Sequence, residues 1–206
     1  MPSIEDPPTV FLVDDEPDVR AAAVHVLTRA GFSVEEFGSP EPLLHAVKPD
    51  VSGCYVLDLH LPQMSGLELR QRLLAKGCRQ PFIILTGRGD VPAAIDAMKR
   101  GAADFLEKPF EPKKLLAAVQ RAVQRDHEQR RDGVVRQRLH ERLKTLTPRQ
   151  RQVLIQMMRG ETSKEIAKQL HIASTTVEVH RSKIVKNLGF DSLAEMLYAL
   201  TRLGIT

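Results

Sequence analysis

Tryptophan is absent from this sequence, and cysteine occurs only twice, at Cys54 and Cys78. The two cysteines are not spaced like metal ligands, and two are too few for a disulfide-rich secreted scaffold. No apolar stretch approaches the ~20 residues that a membrane-spanning helix needs. The first eight residues carry acids and prolines, whereas a signal peptide needs basic residues and then an apolar core. We therefore expect a cytoplasmic protein without membrane contact.

Charge is unevenly distributed along the chain, although the net charge is only +4. Residues 1–125 hold 15 Lys and Arg against 17 Asp and Glu, a net −2, whereas residues 126–206 hold 15 against 9, a net +6. A basic C-terminal third is typical of proteins that bind a polyanion such as nucleic acid. A well-solvated basic surface explains the same charge equally well, so charge alone leaves both interpretations open.

Four short apolar runs each end at residues suited to phosphoryl chemistry. These residues are Asp14 with Asp15, Asp58, Thr86 and Lys108. Apolar runs of this length, separated by helical patterns, predict buried parallel strands. Ligands of an open parallel sheet bind beyond the carboxyl ends of its strands. We therefore expect three carboxylates, one hydroxyl and one ammonium to gather at one edge of the sheet.

The order of strand and helix patterns predicts the fold class. Over residues 9–125 five strands alternate with helices, which predicts an α/β domain with a doubly wound, five-stranded parallel sheet. A helical pattern begins near Pro112, is interrupted at Gly133 and resumes to Leu146. We assign residues 126–145 to a long linker helix that either helps the chain to dimerise or is simply solvated. Residues 146–206 carry four helical patterns, which predict an all-α domain.

The predicted carboxylate cluster suits a magnesium site. Adjacent carboxylates repel each other unless a cation compensates them, and Mg²⁺ prefers oxygen ligands. With the metal bound, an aspartate oxygen can attack a phosphoryl group, while Thr86 offers a hydroxyl and Lys108 a positive charge. A cis peptide bond before Pro109 would aim Lys108 back into the site. Each residue alone has a purely structural explanation, but five at four strand ends are hard to explain that way.

Residues 9–125 closely resemble the receiver domain of two-component response regulators. The motifs that carry the resemblance are Val13-Asp14-Asp15-Glu16, residues 57–66, Leu85-Thr86-Gly87, residues 101–105 and Lys108-Pro109-Phe110. The resemblance implies that Asp58 is the phosphoacceptor and that a histidine kinase is the donor. It implies that Mg²⁺ is bound by Asp14, Asp15, Asp58 and the backbone carbonyl of His60. It also implies that Thr86 and Phe105 form a switch pair and that Lys108 contacts the phosphoryl group.

The basic end of the chain predicts a helix-turn-helix pair. A helix over residues 175–188 places Val177, Ile184 and Leu188 on one side, facing a core. Its opposite side carries Thr175, Glu178, Val179, Ser182 and Lys186. A shorter helix at 163–170 precedes it across a brief turn. The exposed face suits the major groove of DNA, although a solvated amphipathic helix is far commoner in proteins at large.

Residues 146–203 look like the four-helix DNA-binding domain of the NarL/FixJ and LuxR type. The motifs are Leu146-Thr147-Pro148-Arg149, Val153-Leu154, Gly160, Lys164-Glu165-Ile166-Ala167, residues 176–180 and Lys186-Asn187-Leu188-Gly189. By this resemblance bases are read at Glu178, Val179 and Ser182. Phosphates are then met by Lys164, Thr176, His180, Lys183 and Lys186.

Together the two resemblances cover nearly the whole chain and imply a response regulator that controls transcription and is not an enzyme. A cognate histidine kinase would phosphorylate Asp58, and this would control homodimerisation and binding to promoter DNA, with RNA polymerase as a further partner. Three alternatives are weighed against it. The first domain could serve only for dimerisation, independently of phosphorylation. The chain could be an aspartyl phosphatase, although such enzymes commonly carry a second Asp where this chain has His60. The nucleic acid could be RNA.

Overall fold

The computed structural model describes residues 7–87 and 90–205, so the acidic N-terminal segment discussed above lies outside the described residues. The chain divides into two compact units between residues 129 and 130. Within the described ranges, no helix is long and apolar enough to cross a membrane.

The first unit is built on one parallel sheet. Its strands are β1 (Thr9–Val13), β2 (Ser33–Phe37), β3 (Gly53–Asp58), β4 (Phe82–Thr86) and β5 (Asp104–Glu107), and their order across the sheet is β2-β1-β3-β4-β5. Four helices connect them, α1 (Pro17–Arg29), α2 (Pro40–Ala46), α3 (Gly66–Ala75) and α4 (Val91–Lys99). All four strand pairings are parallel. The predicted five-stranded, doubly wound sheet is therefore confirmed.

Both faces of the sheet are covered by helices, which explains why its central strands are continuously apolar. Along β1 the side chains of Val10 and Leu12 pack with residues of α1 and of the helix that follows β5, α5 (Pro112–Lys144). Phe11 and Val13 point the other way and pack with residues of α2 and α3. Because successive side chains of a strand alternate between faces, a strand buried on both sides needs an apolar residue at every position.

Helix α5 runs without a break from Pro112 to Lys144, so the interruption predicted at Gly133 does not occur. Asp126 lies in the segment that we assigned to the linker, yet it is only 3% exposed. Its Oδ2 accepts hydrogen bonds from Ser52 Oγ and from the backbone N–H of Gly53, both at 3.0 Å. The packed part of the first unit therefore extends past residue 125.

The second unit consists of the end of α5 and four further helices, α6 (Pro148–Met158), α7 (Ser163–Leu170), α8 (Ser174–Leu188) and α9 (Leu193–Arg202). One apolar core joins them, to which α5 contributes Leu139. Val135, one turn earlier on α5, is 42% exposed. The predicted all-α, four-helix domain is confirmed.

The ends of the C-terminal helices follow capping signals that are visible in the sequence. Thr147 with Gln150 and Thr162 with Glu165 form capping boxes at the starts of α6 and α7, as their spacing predicts. Helix α8 begins at Ser174 after Ala173, whose methyl group cannot cap a backbone N–H. Gly189, with a positive φ, ends α8.

Replacing Asp126 by alanine should lower the free energy of unfolding of the first unit by about 1–3 kcal/mol, because the buried N–H of Gly53 loses its acceptor. Hydrogen exchange of the β1 and β3 amides measures this unit separately from the other. The control is Glu128→Ala, which removes an exposed carboxylate from the same helix and should cost less than about 0.5 kcal/mol. Equal losses in the two variants would contradict the role given to Asp126.

Candidate functional sites

The strand register brings the predicted pocket residues together at the carboxyl edge of the sheet. Val13 pairs with Leu57, so that Asp14 and Asp58 leave adjacent strands side by side. Thr86 ends the next strand. The backbone N–H of Lys108 donates to Thr86 O at 2.7 Å, which places Lys108 at the same edge. The Lys108–Pro109 peptide bond is cis.

The ammonium group of Lys108 lies between three carboxylates. Its Nζ is 2.7 Å from Asp14 Oδ2, 2.8 Å from Asp58 Oδ2 and 2.9 Å from Glu16 Oε1. Burial raises the pKa of Asp14, and the contact with Lys108 opposes this without cancelling it. Burial alone would lower the pKa of Lys108, but its hydrogen bonds to the three carboxylates outweigh that effect and raise it. The pocket thus holds one firmly protonated cation among several acids.

The carboxylates suit a hard divalent cation. Oxygens of Asp14, Glu16 and Asp58 all lie within 4.8 Å of one another, and with Lys108 counted their formal charge is −2. Asp14 Oδ2 is buried, and Lys108 Nζ lies beside it at 2.7 Å. Clustered carboxylate oxygens and a net negative charge are what Mg²⁺ sites offer.

The third member of this cluster is Glu16, whereas the predicted ligand Asp15 is exposed and lies outside it. Sequence reasoning did not single out Glu16 as a ligand. The cause is local: Asp14 Oδ1 accepts a hydrogen bond from the backbone N–H of Glu16 at 2.9 Å, a turn that an Asp at the start of a loop commonly makes. An Asp followed two residues later by an acid just after a strand was the available signal.

Both carboxylate oxygens of Asp58 accept hydrogen bonds, and its backbone carbonyl is closely packed. Its Oδ1 accepts from the backbone N–H of His60 at 3.2 Å, and its Oδ2 accepts from Lys108. A side chain at Gly66 would place its Cβ 2.3 Å from Asp58 O, so only glycine allows this approach. The carboxylate of Asp58 therefore projects from a closely packed backbone.

The predicted switch residues differ in their surroundings. Thr86 is buried, and the contacts that its hydroxyl makes within the described residues are long, 3.4 Å to Asp90 Oδ2 and 3.5 Å to Gly87 O. Asp90 Oδ2 is also 2.7 Å from His60 Nε2. Phe105, on the neighbouring strand, is 42% exposed. It lines a shallow hollow of about 280 Å³ with Ala94, Ile95, Met98 and Lys99.

In the second unit, α8 presents the predicted polar face. Val177, Ile184 and Leu188 are fully buried, as the projection requires. Eight of the nine predicted nucleic-acid contacts are exposed, namely Lys164, Thr175, Thr176, Glu178, Val179, Ser182, Lys183 and Lys186. His180 is half-buried, and no hydrogen bond within the described residues reaches its Nδ1.

A contact between α7 and α8 was not foreseen. Ser163 Oγ donates to Glu178 Oε1 and accepts from Arg181 NH1, while Arg181 NH1 lies 3.6 Å from the same carboxylate oxygen. The spacing of Glu178 and Arg181 predicts that they share a helix face. Their link to Ser163 depends on how α7 packs on α8, which no local pattern specifies.

Two family descriptions match separate parts of the chain. "Response regulator receiver domain" matches residues 10–120, and "Bacterial regulatory proteins, luxR family" matches residues 144–199. The chain belongs to the LuxR-type response regulators. This response regulator therefore shares the role of its family, which is the control of transcription. Its two domains imply a histidine kinase and DNA as partners.

Relatives match this response regulator over nearly its whole length. Transcriptional regulatory protein FixJ of Rhizobium meliloti is 42% identical over 190 residues, which cover 92% of this chain and 93% of FixJ. Nodulation protein W of Bradyrhizobium diazoefficiens is 36% identical over 197 residues, covering 96% and 87%.

Solved structures resemble it as well. Response regulator StyR superposes with a TM-score of 0.73 at 40% identity, covering 95% of this chain and 99% of StyR. Full-length FixJ from B. japonicum gives a TM-score of 0.59 at 35% identity, covering 97% and 98%.

Replacing Lys108 by alanine should lower the free energy of unfolding of the first unit by about 1–3 kcal/mol in EDTA, because the buried oxygens of Asp14 and Asp58 lose a charged donor. MgCl₂ should restore part of this loss. Thermal unfolding in EDTA and in MgCl₂ measures both effects. Lys114→Ala, which removes an exposed ion pair with Glu111, is the control and should change little. If the two variants lose equally in EDTA, Lys108 does not balance the pocket.

Proposed function

We propose that this protein is phosphorylated on Asp58 by a histidine kinase, and that phosphorylation controls its pairing and its binding to promoter DNA. The observation that carries the proposal is the setting of Asp58, whose two carboxylate oxygens are held by the His60 N–H and by Lys108 at the carboxyl edge of the sheet. These contacts fix the direction of the carboxylate, which is what an in-line attack on phosphorus requires.

In the transfer, an Asp58 oxygen forms a bond to phosphorus as the phosphorus–nitrogen bond of the donor phosphohistidine breaks. Lys108 is close enough to follow the new phosphoryl oxygens, since its Nζ already lies 2.8 Å from Asp58 Oδ2. Asp14, Glu16 and Asp58, with Asp15 and the His60 carbonyl as further donors, would hold Mg²⁺. When bound, this ion neutralises the charge that carboxylates and phosphoryl oxygens would otherwise share.

Phosphorylation adds a charge of about −1.5 to −2 to a pocket in which the carboxylates already outnumber the single ammonium group. The strongest response is expected from Lys108, which would exchange a carboxylate for a phosphoryl oxygen. Thr86 would follow, because the contacts of its hydroxyl with the described residues are long and cost little to give up when it turns to the phosphoryl group. Movement of Thr86 at the end of β4 then leaves room for Phe105 on the adjacent strand to turn inward.

The face that includes Phe105 is the proposed pairing surface. Ile95 and Met98 of α4 are exposed beside Phe105, and together they make an apolar patch around the shallow hollow. An inward turn of Phe105 would reshape this patch, so the state of Asp58 would be read where two copies meet. Phosphorylation then acts by shifting the population toward the pairing conformation.

The second domain would bind DNA through α8. The exposed face of α8 combines short polar side chains with Lys183 and Lys186, and α7 adds Lys164 beside it, which suits base edges and flanking phosphates. A dimer would place two copies of α8 on half-sites about one helical turn apart, ~34–36 Å. We place the protein in the cytoplasm, with RNA polymerase as the partner that its promoter binding would serve.

Asp58→Asn tests the phosphoacceptor. After incubation with acetyl phosphate and Mg²⁺, intact-mass measurement should show one added phosphoryl group on the wild type and none on the variant. Only the treated wild type should then sediment as a dimer. It should bind a duplex selected from a random library at least about tenfold more tightly than the untreated wild type does. Asp18→Asn, which changes an exposed acid of α1, should behave as the wild type. A phosphorylated wild type with unchanged DNA affinity would favour the phosphorylation-independent alternative.

Ile95→Asp tests the pairing surface. Because Ile95 is exposed, the variant should fold and still accept one phosphoryl group. It should remain monomeric in sedimentation, because a carboxylate at the centre of the patch would have to be desolvated on pairing. Leu74→Asp is the matched control, since Leu74 is similarly exposed but lies on α3. A phosphorylated Ile95→Asp dimer of normal affinity would remove this face from the proposal.

A further inference from the structure

Glu178 stands where a carboxylate is costly. It lies on the exposed face of α8, among the cations that would flank DNA, and an acid at such a position repels phosphates unless its charge is compensated. In the structure it is compensated: Arg181 lies on the next turn at 3.6 Å, and the hydroxyl of Ser163 joins the two.

We propose that Ser163 is a specificity-determining positioning residue, which holds Glu178 ready to accept from the amino group of a cytosine while Arg181 neutralises it. The proposal rests on DNA binding through α8. Helix α7, whose other predicted contact with DNA is to a phosphate, would then also help to determine which base sequence is bound.

The hydroxyl of Ser163 suits this task because it can donate one hydrogen bond and accept another at the same time. It donates to Glu178 Oε1 and accepts from Arg181, so it separates the carboxylate of Glu178 from the guanidinium group of Arg181. Without it, Arg181 and Glu178 are free to form a bidentate pair that uses both carboxylate oxygens. Within the described residues no hydrogen bond is made to Glu178 Oε2, which leaves this oxygen available as an acceptor.

Ser163 itself is firmly placed. It is buried at the first position of α7, directly after the N-cap Thr162 and inside the capping box that Thr162 forms with Glu165. A fixed hydroxyl restricts the rotamers of a long side chain such as Glu, whose freedom would otherwise be lost only on binding. The base contact expected of a fixed carboxylate in the major groove is the N4 amino group of cytosine.

The experiment uses the full chain treated with acetyl phosphate and Mg²⁺, together with duplexes selected from a library of randomised base pairs. Binding is then measured to every single-base variant of the selected duplex. The wild type should prefer cytosine about tenfold at one position of each half-site. Ser163→Ala should reduce this preference to less than about threefold, while preferences at the other positions remain. Ser163→Thr keeps the hydroxyl and should retain it.

Glu178→Ala should abolish the same preference, and adding Ser163→Ala to it should change nothing more, since the serine acts through the glutamate. Equal weakening on all duplexes by Ser163→Ala would mean that Ser163 only stabilises the helix pair and would overturn the proposal. A wild type that binds selectively but without a cytosine preference sensitive to Glu178 would also overturn it, yet leave the proposed function intact. A wild type that binds no duplex would overturn both.

Discussion

The ammonium group of Lys108 among the carboxylates of Asp14, Glu16 and Asp58 is the interaction on which the rest of the first domain depends. Two of these acids are buried, and they can be so only because a cation stands beside them. The same cation is a compact point charge on a flexible stem, so it can change partners at little structural cost. The feature that stabilises the resting pocket is therefore also the one best suited to register a new negative charge.

Much of the first domain could be predicted because its signals are local. Buried parallel strands read as continuous apolar runs, and residues at their ends share one edge of the sheet whatever the details of packing. The place of Glu16 in the carboxylate cluster was missed, because it depends on a turn made by Asp14. The place of Asp126 in the first unit was missed because its partners, Ser52 and Gly53, are more than seventy residues away in sequence.

The second domain shows the same division. Helical periodicity identified Val177, Ile184 and Leu188 as the buried side of α8, and capping boxes located the starts of α6 and α7. Gly133 illustrates the opposite case: glycine is a weak helix former, but one residue of a 33-residue helix costs only about 1 kcal/mol, too little to break it. The bridge from Ser163 to Glu178 arises from packing between helices, which no periodicity encodes.

Strand β3 is secured at both ends. At its beginning the carboxylate of Asp126 grips the N–H of Gly53, and just past its end Gly66 lies against the backbone of Asp58 with no space for even a methyl group. A strand anchored in this way cannot slide to make room for a bulky group attached to its last residue. Any displacement caused by that group is therefore expected at the ends of the neighbouring strands, β1 and β4, and not in β3 itself.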